Sequence, residues 1–228
     1  FTIKFYGLRV KVYFLLLFLP NLIFGQGFYD SEIIQDIKIY FPFDDWRFRL
    51  DTAKAGYDGY ILADSILING NKYLLAGVKF KGNSSYAISR KKNPLHIKLD
   101  LVKSANYEGF DDIKLGNAWS DNSMIREPLA YDVLRQYMFA PKSNFAKVFI
   151  NNQYYGLMNN TESIDKGFIL RNFLSSAYSF VKCNPESIGA NFGNGPNLGY
   201  LGEDLNFYNG KYELESDTGW YELIQLCD

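Results

Sequence analysis

Between Leu95 and Asp100 the apolar residues Leu95, Ile97 and Leu99 alternate with His96, Lys98 and Asp100, the period-two pattern of a strand with one face buried. Upstream, "YILADSILI" at 60–68 and "KYLLAGVKF" at 72–80 are rich in β-branched and aliphatic residues. They flank Asn69-Gly70, a pair suited to a tight hairpin turn. Downstream the period changes: Ile125, Leu129, Val133 and Leu134 recur at helical spacing through "IREPLAYDVLRQYMF", after the capping residues of Ser120 to Ser123. Pro128 fits only the first turn of a helix, so the regular part is predicted to begin near Arg126. "FAKVFI" and "QYYGLM" around Asn151-Asn152 predict a second hairpin, and "IDKGFILRNF" at 164–173 a helix of about three turns. Short strands are predicted at "AYSFVK" and "KYELES", with a final helix in "GWYELIQLCD". The order of elements is hairpin, strand, helix, hairpin, helix. It predicts an α+β fold with a five-stranded antiparallel sheet and one inserted helix.

Composition narrows the class. At 228 residues, 47% hydrophobic and 18% aromatic, the chain reads as an ordinary globular protein whose ring side chains suit a pleated surface. The first 25 residues resemble an export signal. Lys4, Arg9 and Lys11 precede the apolar run Val12 to Leu19, Pro20-Asn21 breaks that run, and Leu22-Ile23-Phe24-Gly25 ends on a small residue. Removing this segment leaves 21 basic against 25 acidic residues, an acidic balance that excludes a general nucleic-acid-binding role. An exported, secreted or cell-surface chain is expected, without a stable membrane span. Cys183 and Cys227 are too few for a disulfide framework, though they permit one bond. His96 is the single histidine, which excludes a multi-histidine zinc site.

Candidate chemistry centres on "VKFKGNSSYAISRKKNPLHIKLD" at 78–100. Alternation puts Lys79 and Lys81 opposite Val78 and Phe80, and His96 and Lys98 opposite Leu95, Ile97 and Leu99. A row of cations then lines one face. Gly82 permits a close backbone approach, while Asn83, Ser84 and Ser85 add donors, and together these suit a phosphate. The bland reading is a solvated face with a polar tip, and Arg90, Lys91 and Lys92 are read as surface charges. Asp121 reads as a helix cap and Asn117 as a turn residue. The glycines of "GANFGNG" have no following P-loop lysine and read as connection.

Three segments, "VKFKGNSSY" with "RKKNPLHIKLD", then "LGNAWSDNSMIREPLAYDVLR", then "KVFINNQYYGLMNNTESIDKGFI", resemble the successive motifs of the CotH kinase family, the spore-coat-protein-H-like atypical protein kinases. The resemblance implies a kinase-like amino-terminal lobe over 26–163, the start of a second lobe over 164–228, and residues 1–25 as the signal peptide. It further implies a secreted bacterial protein that binds ATP with a divalent metal, Mg or Mn, and phosphorylates serine on surface or coat proteins. By the same resemblance Lys98 is the strand lysine contacting nucleotide phosphates and Gly82, Asn83, Ser84 and Ser85 are the loop over them. Arg126 or Glu127 would orient the lysine, and Glu162 would lie beside the nucleobase. After residue 164 no paired aspartates with a downstream asparagine occur, so the chain is expected to be a fragment that is inactive alone, with no catalytic or metal-ligating residue assigned. The alternative is a non-catalytic exported module holding carbohydrate or protein on an aromatic β-surface. It expects the cations to be spread out or paired with acids.

Overall fold

The computed structural model describes residues 27–174, 179–183 and 196–228. The export-signal expectation for 1–25 and the "GANFGNG" connection lie outside these residues. Eleven strands and four α-helices follow one another along the described chain. β1 is Ile34–Tyr40, α1 is Trp46–Gly56, and four short strands come next: β2 at Ile61–Leu62, β3 at Ser65–Ile68, β4 at Asn71–Leu74 and β5 at Gly77–Phe80. Then come β6 at Leu95–Lys98, β7 at Asp112–Gly116, α2 at Arg126–Leu134, β8 at Ser143–Ile150 and β9 at Gln153–Glu162. The remainder holds α3 at Lys166–Phe173, β10 at Val181–Cys183, β11 at Tyr212–Leu214 and α4 at Trp220–Cys227.

Nine strands form one mixed sheet in the order β2-β5-β6-β7-β9-β8-β1-β3-β4, which corrects the expected five-stranded antiparallel sheet. Strand β1 adds a parallel pairing with β8, while every other pairing in the sheet is antiparallel. The turn at Asn69-Gly70 is where the sequence predicted it, with φ of 49° and 86°. The two runs it joins each bend once. Leu75 adopts a φ of 55°, and beside it the small residues Ala63 and Ala76 are buried. The ladder nevertheless keeps one register through the bend: Ile61 faces Val78, Ala63 N–H donates to Ala76 O, and Ser65 faces Leu74. One half of this hairpin pairs with β6, Val78 facing Ile97, and the other half pairs with β1, Ile37 facing Ile68. Both ends of the sheet are therefore carried by one hairpin, and the sheet curls into a ring.

Inside the ring, Ile37, Ile39, Ile66, Ile68, Val78, Phe80, Leu95, Ile97, Ile113, Leu115 and Val148 are buried against one another. Helix α1 packs on β5 and contributes Leu50. The side chains of the alternate residues, including His96, Lys98 and Lys114, point outward. A second, small core gathers Tyr208, Tyr212 and Leu223 with Val181 and Trp220. Both cysteines are free thiols. Among the described residues, no helix is long and apolar enough to cross a membrane.

Buried Asn144 on β8 ties the chain's early segment to the sheet. Its amide nitrogen donates to the carbonyls of Phe28, Asp30 and Ile33, and its oxygen accepts from Asn160 Nδ2 at 2.9 Å. Asn144→Ala leaves these buried groups unpaired, and the expected loss is about 2–4 kcal/mol of unfolding free energy, read by urea denaturation.

Candidate functional site

The register of the ring sets which outward side chains meet. Lys79 on β5 lies opposite His96, His96 opposite Lys114, and Lys114 opposite Thr161 on β9. Lys98 lies opposite Asp112, and Gly116 opposite Asn159. Along this row most cations are neutralised in place. Lys79 Nζ sits 2.9 Å from Asp58 Oδ2, and Lys98 Nζ sits 3.1 Å from Asp100 Oδ1 and 3.5 Å from Asp111 Oδ2. His96 Nε2 meets Asp112 Oδ1 at 2.7 Å, with the Tyr60 hydroxyl 3.2 Å from its Nδ1. Lys81 and Lys114 differ: among the described residues neither side chain makes an ion pair or a hydrogen bond, and both line the same cleft of about 630 Å³. His96, Asp112, Glu127 and Glu162 share that cleft, and Phe180 and Val181 line it as well.

Glu127 enters from the first turn of α2. Its carboxylate is held on β9 instead of on a lysine: Asn159 Nδ2 donates to Oε2 at 3.1 Å and Thr161 Oγ1 donates to Oε1 at 2.9 Å. Gly116 makes room for it, since a Cβ there would lie 3.2 Å from Glu127 Oε2. A hollow of about 380 Å³ adjoins the cleft across Lys81 and Glu127, and Ser85, Trp119, Arg126 and Asn159 line it as well.

The residues singled out from the sequence are distributed as follows. Gly82 has φ of 85°, and a Cβ there would come within 2.2 Å of Ser85 Oγ, so glycine is required at the head of the loop. Asn83 and Ser84 are exposed, and Ser85 reaches the hollow beside Lys81. Arg126 also lines that hollow, with its side chain mostly in solvent and its backbone N–H capped by Asp121 Oδ2 at 2.9 Å. Glu162 is buried in the cleft wall, and both its oxygens are engaged, one by Lys142 N–H at 3.0 Å and one by Arg171 Nη2 at 2.8 Å. Lys98 lies in a neighbouring hollow of about 310 Å³ with Asp111, Asp165 and Arg171, apart from Ser85. The structure thus brings Ser85, Arg126 and Glu127 around Lys81, and places Lys98 elsewhere. Of the basic triplet, Lys92 turns inward, packing its chain on Gly156 and donating to Leu157 O at 2.9 Å, while Arg90 stacks 3.5 Å over Trp119.

Electrostatics separate the cations further. Desolvation pushes the Lys81 ammonium below the ordinary lysine range, with Lys114 adding to the effect and Glu127 and Asp112 opposing it. For Lys98 burial pulls the same way, but Asp100, Asp111 and Asp112 outweigh it and hold the pKa above the usual value. Burial pushes Asp112 up, yet the hydrogen bond and charge of His96, with Lys114 and Lys98, bring it below the usual carboxylate range. Among the described residues, no group of three or more His, Cys, Asp or Glu is placed to hold a metal ion.

The sequence model described as "CotH kinase protein" matches residues 78–223, a span that contains the cleft, its loop and α2. The chain belongs to the CotH kinase family, a group of atypical kinases. No curated protein matches it.

A depressed carboxylate stabilises the fold above its unfolded pKa of about 3.9 and loses that contribution as the pH falls through its folded pKa. Asp112→Asn is therefore expected to cost about 1.5–3 kcal/mol near neutral pH, a difference from the parent chain that shrinks below about pH 4. Unfolding free energies of both chains across pH 3–8 check this.

Proposed function

We propose that the chain is the nucleotide-binding part of an atypical protein kinase, with ATP phosphates seated between Lys81 and Lys114. The reading is carried by one observation: among the described residues these two lysines line the cleft with no carboxylate within ion-pair distance, whereas Lys79 and Lys98 on the same face are paired. A triphosphate would pair with both ammonium groups directly, and a partly desolvated cleft strengthens the attraction. The binding-module alternative expects every cation of the row to be paired or dispersed, and Lys81 and Lys114 do not fit it.

In this proposal β5 to β9 with α2 form the kinase-like lobe, and the turn of Gly82 to Ser85 covers the phosphates. The nucleobase lies toward the end of β9, where the buried Ser163 hydroxyl lines the cleft without a hydrogen-bond partner among the described residues. Glu162 serves that end as a brace, joining β9 to α3 through Arg171. Lys98 orders the neighbouring edge through its aspartates. A divalent metal, Mg or Mn, would neutralise charge developing on transfer to a serine hydroxyl of a surface or coat protein, and no ligand for it is assigned among the described residues. Export of the chain, with residues 1–25 as its signal, belongs to the same proposal.

Lys114→Ala and Lys81→Ala in the full chain are each expected to weaken ATP binding about tenfold or more, while Lys98→Ala changes it less than threefold. Titration with a fluorescent ATP analogue reads the affinities. Equal affinity in the two cleft variants and the parent would overturn the assignment.

A further inference from the structure

Glu127 is the one carboxylate that both cation-bearing hollows share. A free carboxylate there would be drawn to Lys81 or Lys114 and would occupy the charge that a phosphate needs. Two residues of β9 prevent this. Asn159 and Thr161 stand two positions apart on one strand, so both side chains face α2, and each donates to a different oxygen of Glu127. Thr161 spends its own proton on Glu127, so the 2.9 Å contact with Ser143 Oγ is one in which Ser143 donates to Thr161. The clamp is itself braced from β8. Asn159 and Thr161 are both buried, and Asn159 Oδ1 has no donor among the described residues.

Helix α2 does little to fix Glu127 by packing. Pro128 is its single buried residue, and Leu129, Val133 and Leu134 are exposed. The place of the carboxylate is thus decided by its two donors on the sheet.

We propose that Asn159 and Thr161 are positioning residues of the nucleotide site: by holding the Glu127 carboxylate against β9 they keep Lys81 and Lys114 available to phosphate. The proposal rests on the nucleotide reading above and adds a direction to it. Releasing Glu127 frees it to pair with a lysine, and nucleotide affinity falls.

The test uses Thr161→Val, which keeps the shape and removes the donor, Thr161→Ser, which keeps the hydroxyl, and Thr161→Val combined with Glu127→Gln, which removes the charge that competes. Thr161→Val is expected to weaken ATP binding about fivefold or more, Thr161→Ser to retain most of the affinity, and the double variant to bind as Glu127→Gln alone does. A second readout needs no nucleotide. In the ATP-free chain, acylation of Lys81 and Lys114 by an amine-reactive ester, quantified by mass spectrometry, is expected to slow in Thr161→Val, because an ion-paired ammonium gives up its proton less readily. If the parent chain fails to bind ATP but its lysines respond in this way, the nucleotide reading falls and the clamp stands. Should Thr161→Val not fold, Asn159→Leu removes the other donor and is read the same way. Unchanged affinity with unchanged lysine labelling overturns the proposal, as does an equal loss in the Glu127→Gln background, which would make Thr161 merely structural.

Discussion

Everything outward on this protein depends on the register of one bent hairpin. Because its two halves pair with β6 and with β1, the strands between cannot slide without breaking pairs at both ends. Side chains alternate between faces with a period of two, so a slip of one residue would move Ile97 and Ile113 into solvent and His96 and Lys114 into the core. Burial of the isoleucine and leucine set inside the ring opposes that slip, since each such side chain contributes about 1.5–3 kcal/mol when removed from water. The cleft chemistry is in this sense a by-product of apolar packing. Lys114 faces His96 on one side and Thr161 on the other because Ile113 and Leu115 must face inward.

Apolar packing does not explain where α2 sits. Its exposed apolar residues contribute little to docking, and its attachment runs through polar contacts near its start: Asp121 capping Arg126 and Glu127 held by Asn159 and Thr161. A charge-assisted hydrogen bond is about twice as strong as a neutral one, and a buried polar group left unpaired costs about 1–3 kcal/mol, so such contacts specify position sharply. The sheet thus supplies rigidity and the helix supplies one carboxylate at a defined point.

The parts of the fold written in short-range patterns were legible in the sequence. Asn69-Gly70 and Asn151-Asn152 turn where expected, α2 begins at Arg126, and β6 alternates as its residues demand. The strand count was not legible, because no local signal says that a run of nine residues bends in the middle and serves two edges. β1 and β7 were also passed over, although "DIKLG" alternates Ile113 and Leu115 with Asp112, Lys114 and Gly116 as plainly as β6 does. That omission left Lys114 out of the cation row read from the sequence, beside Lys79, Lys81, His96 and Lys98. Reading the five residues before the "NAWSDN" turn as a strand would have placed Lys114 beside the helix that carries Glu127. Lys81 stood in the expected cation row, but nothing in the sequence says that its neighbours Lys79 and Lys98 are paired off by Asp58, Asp100 and Asp111. Asn159 and Thr161 carry no pattern of their own, and only the pairing of β7 with β9 brings them to Glu127.

The loop between β5 and β6 bears on how costly ligand binding is. A glycine- and serine-rich turn is ordinarily flexible, and fixing it on a ligand costs about 1–2 kcal/mol per residue in backbone entropy. Here the turn is fastened by the protein's own contacts. Asn117 Nδ2 donates to Ser85 O and Lys92 O, buried Asn93 holds both backbone groups of Ala87, Tyr155 OH donates to Asn93 O at 2.9 Å, and the Arg47 guanidinium gathers the carbonyls of Ile88, Arg90 and Lys91. The ordering cost has been met during folding, by contacts that lie away from the cleft. Asn83 and Ser84 lie exposed at its tip. With Glu127 held on β9 as well, the same economy applies to charge, and under the nucleotide proposal a loop and a carboxylate fixed in this way both lower the cost of binding.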